Sequence, residues 1–367
     1  MKFDILSEYC FVNMGQSPAS ETYNNNADGL PFYQGNADFG EIHPQTRIWC
    51  SAPVKIANKG DLLISVRAPI GALNIATEQC CIGRGLAALT PKLDKCRIKY
   101  IYFAIQSQIN FLIANGTGST FKAVNKNTLE NLLIPVSSLN KQDEIVNIFE
   151  KLNNIINKRK EQLLLMDNAV KSRFIEMFGS LGSDKFGWGL MKLGNCCEIN
   201  PSKINDNRLK ENLYVSFIPM SCVTDDGKIT EMETKTYDEV KSGFTYFKEG
   251  DVLFAKITPC MENGKGAIAI GLYNKVGFGS TEFHVLRPIK EKCNSYWLYM
   301  VTMFSEFRLI AESNMTGSAG QKRVPVSFLE NFKISVPPIE LQNEFADFFK
   351  QTDKSKFVIQ KSLNYLL

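Results

Sequence analysis

Nothing limits the folds open to this chain more than its own repetition. Gly60-Asp61-Leu62-Leu63-Ile64-Ser65 returns as Gly250-Asp251-Val252-Leu253-Phe254-Ala255, and Thr117-Gly118-Ser119 returns as Thr316-Gly317-Ser318. Leu129-Glu130-Asn131 recurs as Leu329-Glu330-Asn331, Ile134-Pro135-Val136 as Ile334-Ser335-Val336, and Gln142 with Glu144 as Gln342 with Glu344. The offset drifts from 190 to 200 while the order of the landmarks holds. One shared tetrapeptide is chance; five landmarks in one order indicate a tandem duplication. The 367 residues leave each copy enough chain to bury a core of its own.

Each copy has two parts. The first is strand-rich. Gly-Asp before an apolar run is the pattern of a buried strand leaving a turn, and Gly71, Gly83 and Gly85, or Gly264, Gly266, Gly271, Gly277 and Gly279, punctuate the stretch beyond it. Short strands between glycine turns predict a compact, curled sheet rather than a wound βαβ domain. A helix is expected over Ile98 to Ala114 and its counterpart over Ser295 to Glu312. The second part is helical. A helix is predicted from near Asn140 to Phe178, ended by Gly179 and Gly182. Ile145, Leu152 and Met166 fall at sevenfold spacing, as do Phe149, Ile156, Leu163, Val170 and Met177, four residues behind, with Arg159 and Arg173 interrupting the first set. That is a coiled-coil seam on a helix roughly 55–60 Å long. The second helix, from near Glu340 to Leu367, carries Phe345, Phe349, Ile359, Leu363 and Leu366 on its seam but Thr352 and Lys356 where apolar residues belong. The two helices are expected to pack antiparallel, each burying the other's stripe.

Familiar catalytic chemistry is missing. There are two histidines, His43 and His284, and neither lies in a metal-ligand spacing. His43 reads as a loop residue; His284, on an alternating strand, as facing DNA or solvent. No P-loop, no G-x-S-x-G elbow and no glycine-rich adenosylmethionine loop appears. Asn200-Pro201-Ser202 has only part of the Asn-Pro-Pro-aromatic pattern of adenine methyltransferases. The ten cysteines include no C-x-x-C and read as reduced, mostly buried thiols of a cytosolic protein. The net charge of +4 makes any nucleic-acid surface local rather than global. The N-terminus lacks a signal-peptide core, and no run approaches the ~18 apolar residues of a membrane span. The expectation is a soluble, cytoplasmic protein with no metal and no membrane contact.

The landmarks together resemble a family. Gly60 to Ile75, the Gly83-Arg84-Gly85 beyond it, Gly118-Ser119-Thr120-Phe121-Lys122, the helix start Gln142-Asp143-Glu144-Ile145-Val146 and the helix end Lys171 to Gly179 are similar to the target-recognition and central conserved regions of specificity subunits of type I restriction-modification systems. The second copy departs at Pro259-Cys260-Met261-Glu262-Asn263, which replaces Ala68-Pro69-Ile70-Gly71, and its equivalent of Arg67 falls near Lys256 or Ile257. The resemblance implies an α+β fold of two tandem target-recognition domains, residues 1–139 and 183–338. Two long helical regions, 140–182 and 339–367, would separate them as an antiparallel coiled coil. It implies a non-catalytic subunit whose two domains each read half of a bipartite target in double-stranded DNA. The helices set the spacing and dock modification subunits that hold S-adenosylmethionine, and a restriction subunit joins them. No cofactor is expected in this chain. A coiled-coil scaffold without DNA specificity and a self-contained adenine DNA methyltransferase are the alternatives.

The resemblance supplies the domain but not the contacts, which are inferred from residue type and loop position. In the first domain the candidates are Arg67, Arg84, Ser119, Thr120 and Lys122; in the second, Lys256, Lys265, Ser318, Gln321, Lys322 and Arg323. Small residues let backbone N–H groups approach a phosphate, and a following cation neutralises it. Ile145, Phe149, Leu152, Ile156, Leu163, Met166, Val170, Phe345, Phe349, Ile359 and Leu363 are the helix-packing candidates.

Overall fold

A computed structural model of the chain describes residues 2–116, 122–204, 206–318 and 320–366. These form two compact units, Met1–Asn157 and Lys158–Leu367. The long helix Leu139–Phe178 lends its first half to one and its second half to the other.

In the first unit the Gly-Asp strand explains the plan. Gly60 turns the chain at φ +88°, a conformation that suits glycine, and Asp61 is buried, accepting the Asn58 N–H at 2.8 Å. The next strand, Leu62–Ser65, is buried on both faces. Leu62 and Ile64 pack with Leu89, Ile101, Ile105, Leu129 and Val146, whereas Leu63 packs with Tyr33, Cys80 and Ile82. Its pleat therefore feeds two cores, which is why the run is continuously apolar rather than alternating. One sheet orders Cys10–Met14, Leu86–Pro91, Leu62–Ser65 and Leu73–Ile75, all antiparallel. The other orders Tyr23–Asn24, Trp49–Cys50, Leu30–Tyr33, Cys80–Ile82 and Ile56–Ala57, with one parallel pair between Leu30–Tyr33 and Cys80–Ile82. A separate ribbon pairs Lys2–Ile5 with Leu133–Val136 just before the long helix.

The second unit repeats this plan, with four strands in place of five in its second sheet. Gly250 (φ +87°) and buried Asp251 open the strand Val252–Ala255. The sheet Cys197–Ile199, Phe283–Pro288, Val252–Ala255, Gly266–Ile268 matches the first sheet. The sheet Glu233–Thr236, Tyr214–Ile218, Val276–Gly279, Thr245–Lys248 keeps the single parallel pair, and Leu190–Lys192 pairs with Lys333–Ser335. The expected curled sheet is thus two sheets per unit, joined at sharp corners. The Ile98 to Ala114 helix is two helices, Ile98–Gln106 and Ile109–Ala114, and its counterpart is Ser295–Met303 and Ser305–Ser313. In the second unit the break falls at Phe304, whose backbone is extended and whose ring packs 4.9 Å from that of Phe174.

Two residues shared by the copies anchor each helix to its domain. Gln142 and Gln342 are both buried. Gln142 donates from Nε2 to the Lys95 and Ser137 carbonyls (3.0 and 2.9 Å) and accepts the Arg97 N–H at 2.8 Å. Gln342 donates to the Lys292 and Pro337 carbonyls (3.0 and 2.8 Å) and accepts the Asn294 N–H at 2.8 Å. All three bonds recur because both amides sit between the start of a helix and the strand before it.

The long helix spans 40 residues and closes at Gly179, whose N–H reaches the Ile175 carbonyl at φ +80°. In the first unit Ile145 is half-buried against the core and Phe149 stacks on Phe103, rings 4.9 Å apart. Leu152, Ile156, Leu163 and Met166 are half-buried and Val170 is buried. In the second unit the C-terminal helix Ile339–Leu366 buries Phe345, Ile359 and Leu363, with Phe349 half-buried. Phe345 lies 5.4 Å from Phe174 and 5.6 Å from Phe178, ring to ring. Two of the polar interruptions of the seams carry charge pairs: Arg173 with Glu344 at 2.9 Å, and Lys356 with Asp167. The later residue on one helix meets the earlier on the other, so these contacts run antiparallel.

All ten cysteines are free, and all but Cys222 and Cys260 are buried. Among the described residues no helix is long and apolar enough to cross a membrane. His43 is exposed, with Nδ1 2.9 Å from the Ile75 carbonyl. His284 corrects an expectation: it is 3% exposed and faces neither solvent nor a partner. Its Nε2 lies 2.8 Å from the Val324 carbonyl, which can only accept, so the proton sits there and Nδ1 accepts from the Asn200 amide at 3.0 Å. Burial pushes the imidazole below its usual value and keeps it neutral.

Candidate nucleic-acid interface

In each unit the chain crosses from one sheet to the other through a three-residue corner. In the first unit Cys80–Ile82 passes through Gly83-Arg84-Gly85 into Leu86–Pro91. Gly85 is required there: a Cβ on it would lie 2.2 Å from the Gln34 carbonyl oxygen. The Val66 N–H bonds the Gly85 carbonyl at 2.9 Å, the Val124 N–H bonds the Val66 carbonyl at 2.8 Å, and Arg67 bridges to Ala123. These backbone bonds bring Arg67, Arg84 and Lys122, all exposed, to one edge of the domain. Arg67 and Arg84 line one hollow of about 180 Å³ together with Ser17, Gln34 and Asn36. Ser17 holds the corner by accepting the Arg84 N–H at 3.2 Å. Ser119 and Thr120 lie outside the described residues.

The second unit has the same frame. Val276–Gly279 passes through Ser280-Thr281-Glu282 into Phe283–Pro288. The Lys256 N–H bonds the Glu282 carbonyl at 2.9 Å, the Val324 N–H bonds the Lys256 carbonyl at 2.9 Å, and Ile257 bridges to Arg323. The counterpart of Arg67 is therefore Ile257, Lys256 stands where the first unit has buried Val66, and Glu282 stands for Gly85. The chemistry differs accordingly. Glu282 accepts two bonds from Arg323, at 2.7 and 2.9 Å, and these hold its carboxyl below the usual range. Burial lowers the half-buried Lys256 ammonium, with Glu282 opposing the shift. Lys265 donates to the Met220 carbonyl at 3.3 Å, beside the strand end facing this corner. Ser318, Gln321 and Lys322 are exposed on a hairpin closed by Thr316 and Arg323, and the Lys322 carbonyl accepts the Thr258 N–H at 3.0 Å. Lys322 has no ion-pair partner among the described residues, whereas Arg323 is committed to Glu282.

Both copies thus display cations and free polar side chains on a corner held by backbone bonds. Residues 5–165 and 186–366 each match the type I restriction modification DNA specificity domain. The chain belongs to that family. Among its relatives are the specificity subunits of the type I restriction enzymes EcoEI and EcoAI of Escherichia coli. The first is 43% identical over 41% of this chain and 25% of its own length; the second is 43% identical over 45% and 28%. The chain therefore matches only about a quarter of the length of these relatives. The S subunit of a type I restriction-modification system from M. genitalium shares the fold across 100% of this chain and 92% of its own, with a TM-score of 0.55 at 12% identity.

For a specificity-domain chain, three side chains at these corners escaped the sequence reading. Gln34 and Asn36 lie in a stretch that has no matching landmark in the second copy, so a search for repeats passes over them. Glu282 falls at one of the two corner glycines, neither of which the second copy keeps. Aligning the strand ends on either side of the corner would have exposed that exchange.

Proposed function

We propose that this chain is the sequence-specificity subunit of a type I restriction-modification complex and does no chemistry itself. Residues 1–139 and 183–338 each read one half of a bipartite target in double-stranded DNA. The helical regions 140–182 and 339–367 pair as an antiparallel coiled coil, set the distance between half-sites and dock the modification subunits. Those subunits carry S-adenosylmethionine and methylate adenine; a restriction subunit completes the complex in the cytoplasm. Arg67, Arg84, Ser119, Thr120 and Lys122 serve one half-site, and Lys256, Lys265, Ser318, Gln321, Lys322 and Arg323 the other. The observation that carries this reading is one backbone corner built twice with different side chains. Two readers of different sequences need a shared frame and divergent contact residues. The test is to co-express the chain with the modification subunits of its own system and map methylated adenines in a genome lacking other methyltransferases. A split motif with a fixed gap is expected. Methylation by the purified chain alone, or no motif with the partners present, would overturn the reading.

A further inference from the structure

The ten arginines of the chain differ in one respect. Eight place the guanidinium on an acceptor: Arg47, Arg97, Arg173, Arg208, Arg287 and Arg323 on carboxylates, Arg159 on Gln162, and Arg308 on buried carbonyls. Arg67 and Arg84 have no acceptor among the described residues, and both line the same hollow of the first unit. The side-chain amides of Gln34 and Asn36, on the same hollow, likewise have no partner among the described residues. Two like charges on one hollow repel, and no lining residue is a carboxylate. The hollow, about 180 Å³, is also smaller than the roughly 300–1,000 Å³ of clefts that enclose a small molecule. A flat, electron-rich edge presented from outside fits it.

We propose that Arg67, Arg84, Gln34 and Asn36 form the base-reading cluster of the first unit. The two arginines recognise guanine through O6 and N7 in the major groove, and the two amides recognise adenine through N6 and N7. This rests on the specificity-subunit reading given above. It deepens that reading by separating base contacts from phosphate contacts: guanidinium and carboxamide are the groups whose paired hydrogen bonds match those base edges, whereas an ammonium offers only point charge. The second unit cannot read the same bases at its corner, because Pro219, Ser221, Ile257 and Thr281 occupy the equivalent positions. The two half-sites therefore differ in sequence.

The experiment uses the full chain assembled with its modification subunits and reads the methylated motif of four forms: wild type, Arg67→Ala, Arg84→Ala and Arg84→Lys. Melting temperatures of the four should agree, since both arginines are exposed and have no acceptor among the described residues. Each alanine variant is expected to lose about 10- to 100-fold of the discrimination for a guanine at one position of one half-site, leaving the other half unchanged. Arg84→Lys, which keeps the charge, should relax that position as far as alanine does. An unchanged motif, both halves relaxing together, or full rescue by lysine would overturn the assignment while leaving the function intact. A wild-type complex that marks no split motif would overturn the function and this assignment with it.

Discussion

At the residue scale, two pairs of buried polar groups stand in the same places in both copies, Asp61 with Asp251 and Gln142 with Gln342. Gln142 and Gln342 each satisfy three backbone groups at the root of a helix, so truncating either strands two carbonyls and an N–H. Gln142→Ala and Gln342→Ala should each cost about 2–4 kcal/mol, read as a shift in the denaturant midpoint of the unit concerned. Unequal costs would mean that the two anchors are not equivalent. His284 makes the second unit pH-sensitive. Its folded pKa is lowered by burial, so below about pH 6.5 the unfolded chain takes up a proton that the folded chain refuses. Stability is then complete above that pH and falls as the pH drops through it, by at most about 1.4 kcal/mol per unit. His284→Gln should flatten this slope between pH 7 and pH 5 in thermal melts; an unaltered slope assigns it to other groups.

At the element scale, the strands behave as their sequence suggests and the helices need their neighbours. Leu62–Ser65 and Val252–Ala255 are buried on both faces, and all but Ser65 of their residues are apolar for that reason. The C-terminal end of the long helix is held by aromatic packing of Phe174 and Phe178 with Phe345. Phe174 is 1% exposed and packs against the rings of Phe178, Phe304 and Phe345. Phe174→Ala should therefore destabilise the second unit by about 3–5 kcal/mol in chemical denaturation. The first unit, which holds none of these rings, should keep its own transition.

At the scale of the whole molecule, duplication gives two readers on one chain, and the proposed role of the helices is to fix their separation. Inserting two residues into the exposed stretch around Lys158 to Lys160 lengthens the helix by about 3 Å, close to one base-pair step, and rotates the rest of the helix by roughly 200°. The methylated motif of that variant should show an altered gap or disappear, with both half-site sequences unchanged. A motif with the original gap would rule out the helix as a ruler.

The repeat, the two long helices, the Gly-Asp strands and the family were all legible in the chain, because each is written in local spacing: periodicity, turn residues and ordered recurrence. Arg67, Arg84 and Lys122 were named from the same local signals, and the fold brings them to one edge. Features that spacing could not reveal depend on partners distant in sequence. Arg323 and Glu282 are 41 residues apart, and only their contact shows that this cation is already paired. His284 reads as an outward strand position until the Val324 carbonyl and Asn200 close around it. Gln34 and Asn36 join the arginines because a corner between two sheets folds residue 34 against residue 85. Local sequence determines which elements form, since hydrophobic period and turn chemistry act over a few residues. The tertiary structure decides which charges are free to meet a partner, since that depends on what the fold sets beside them.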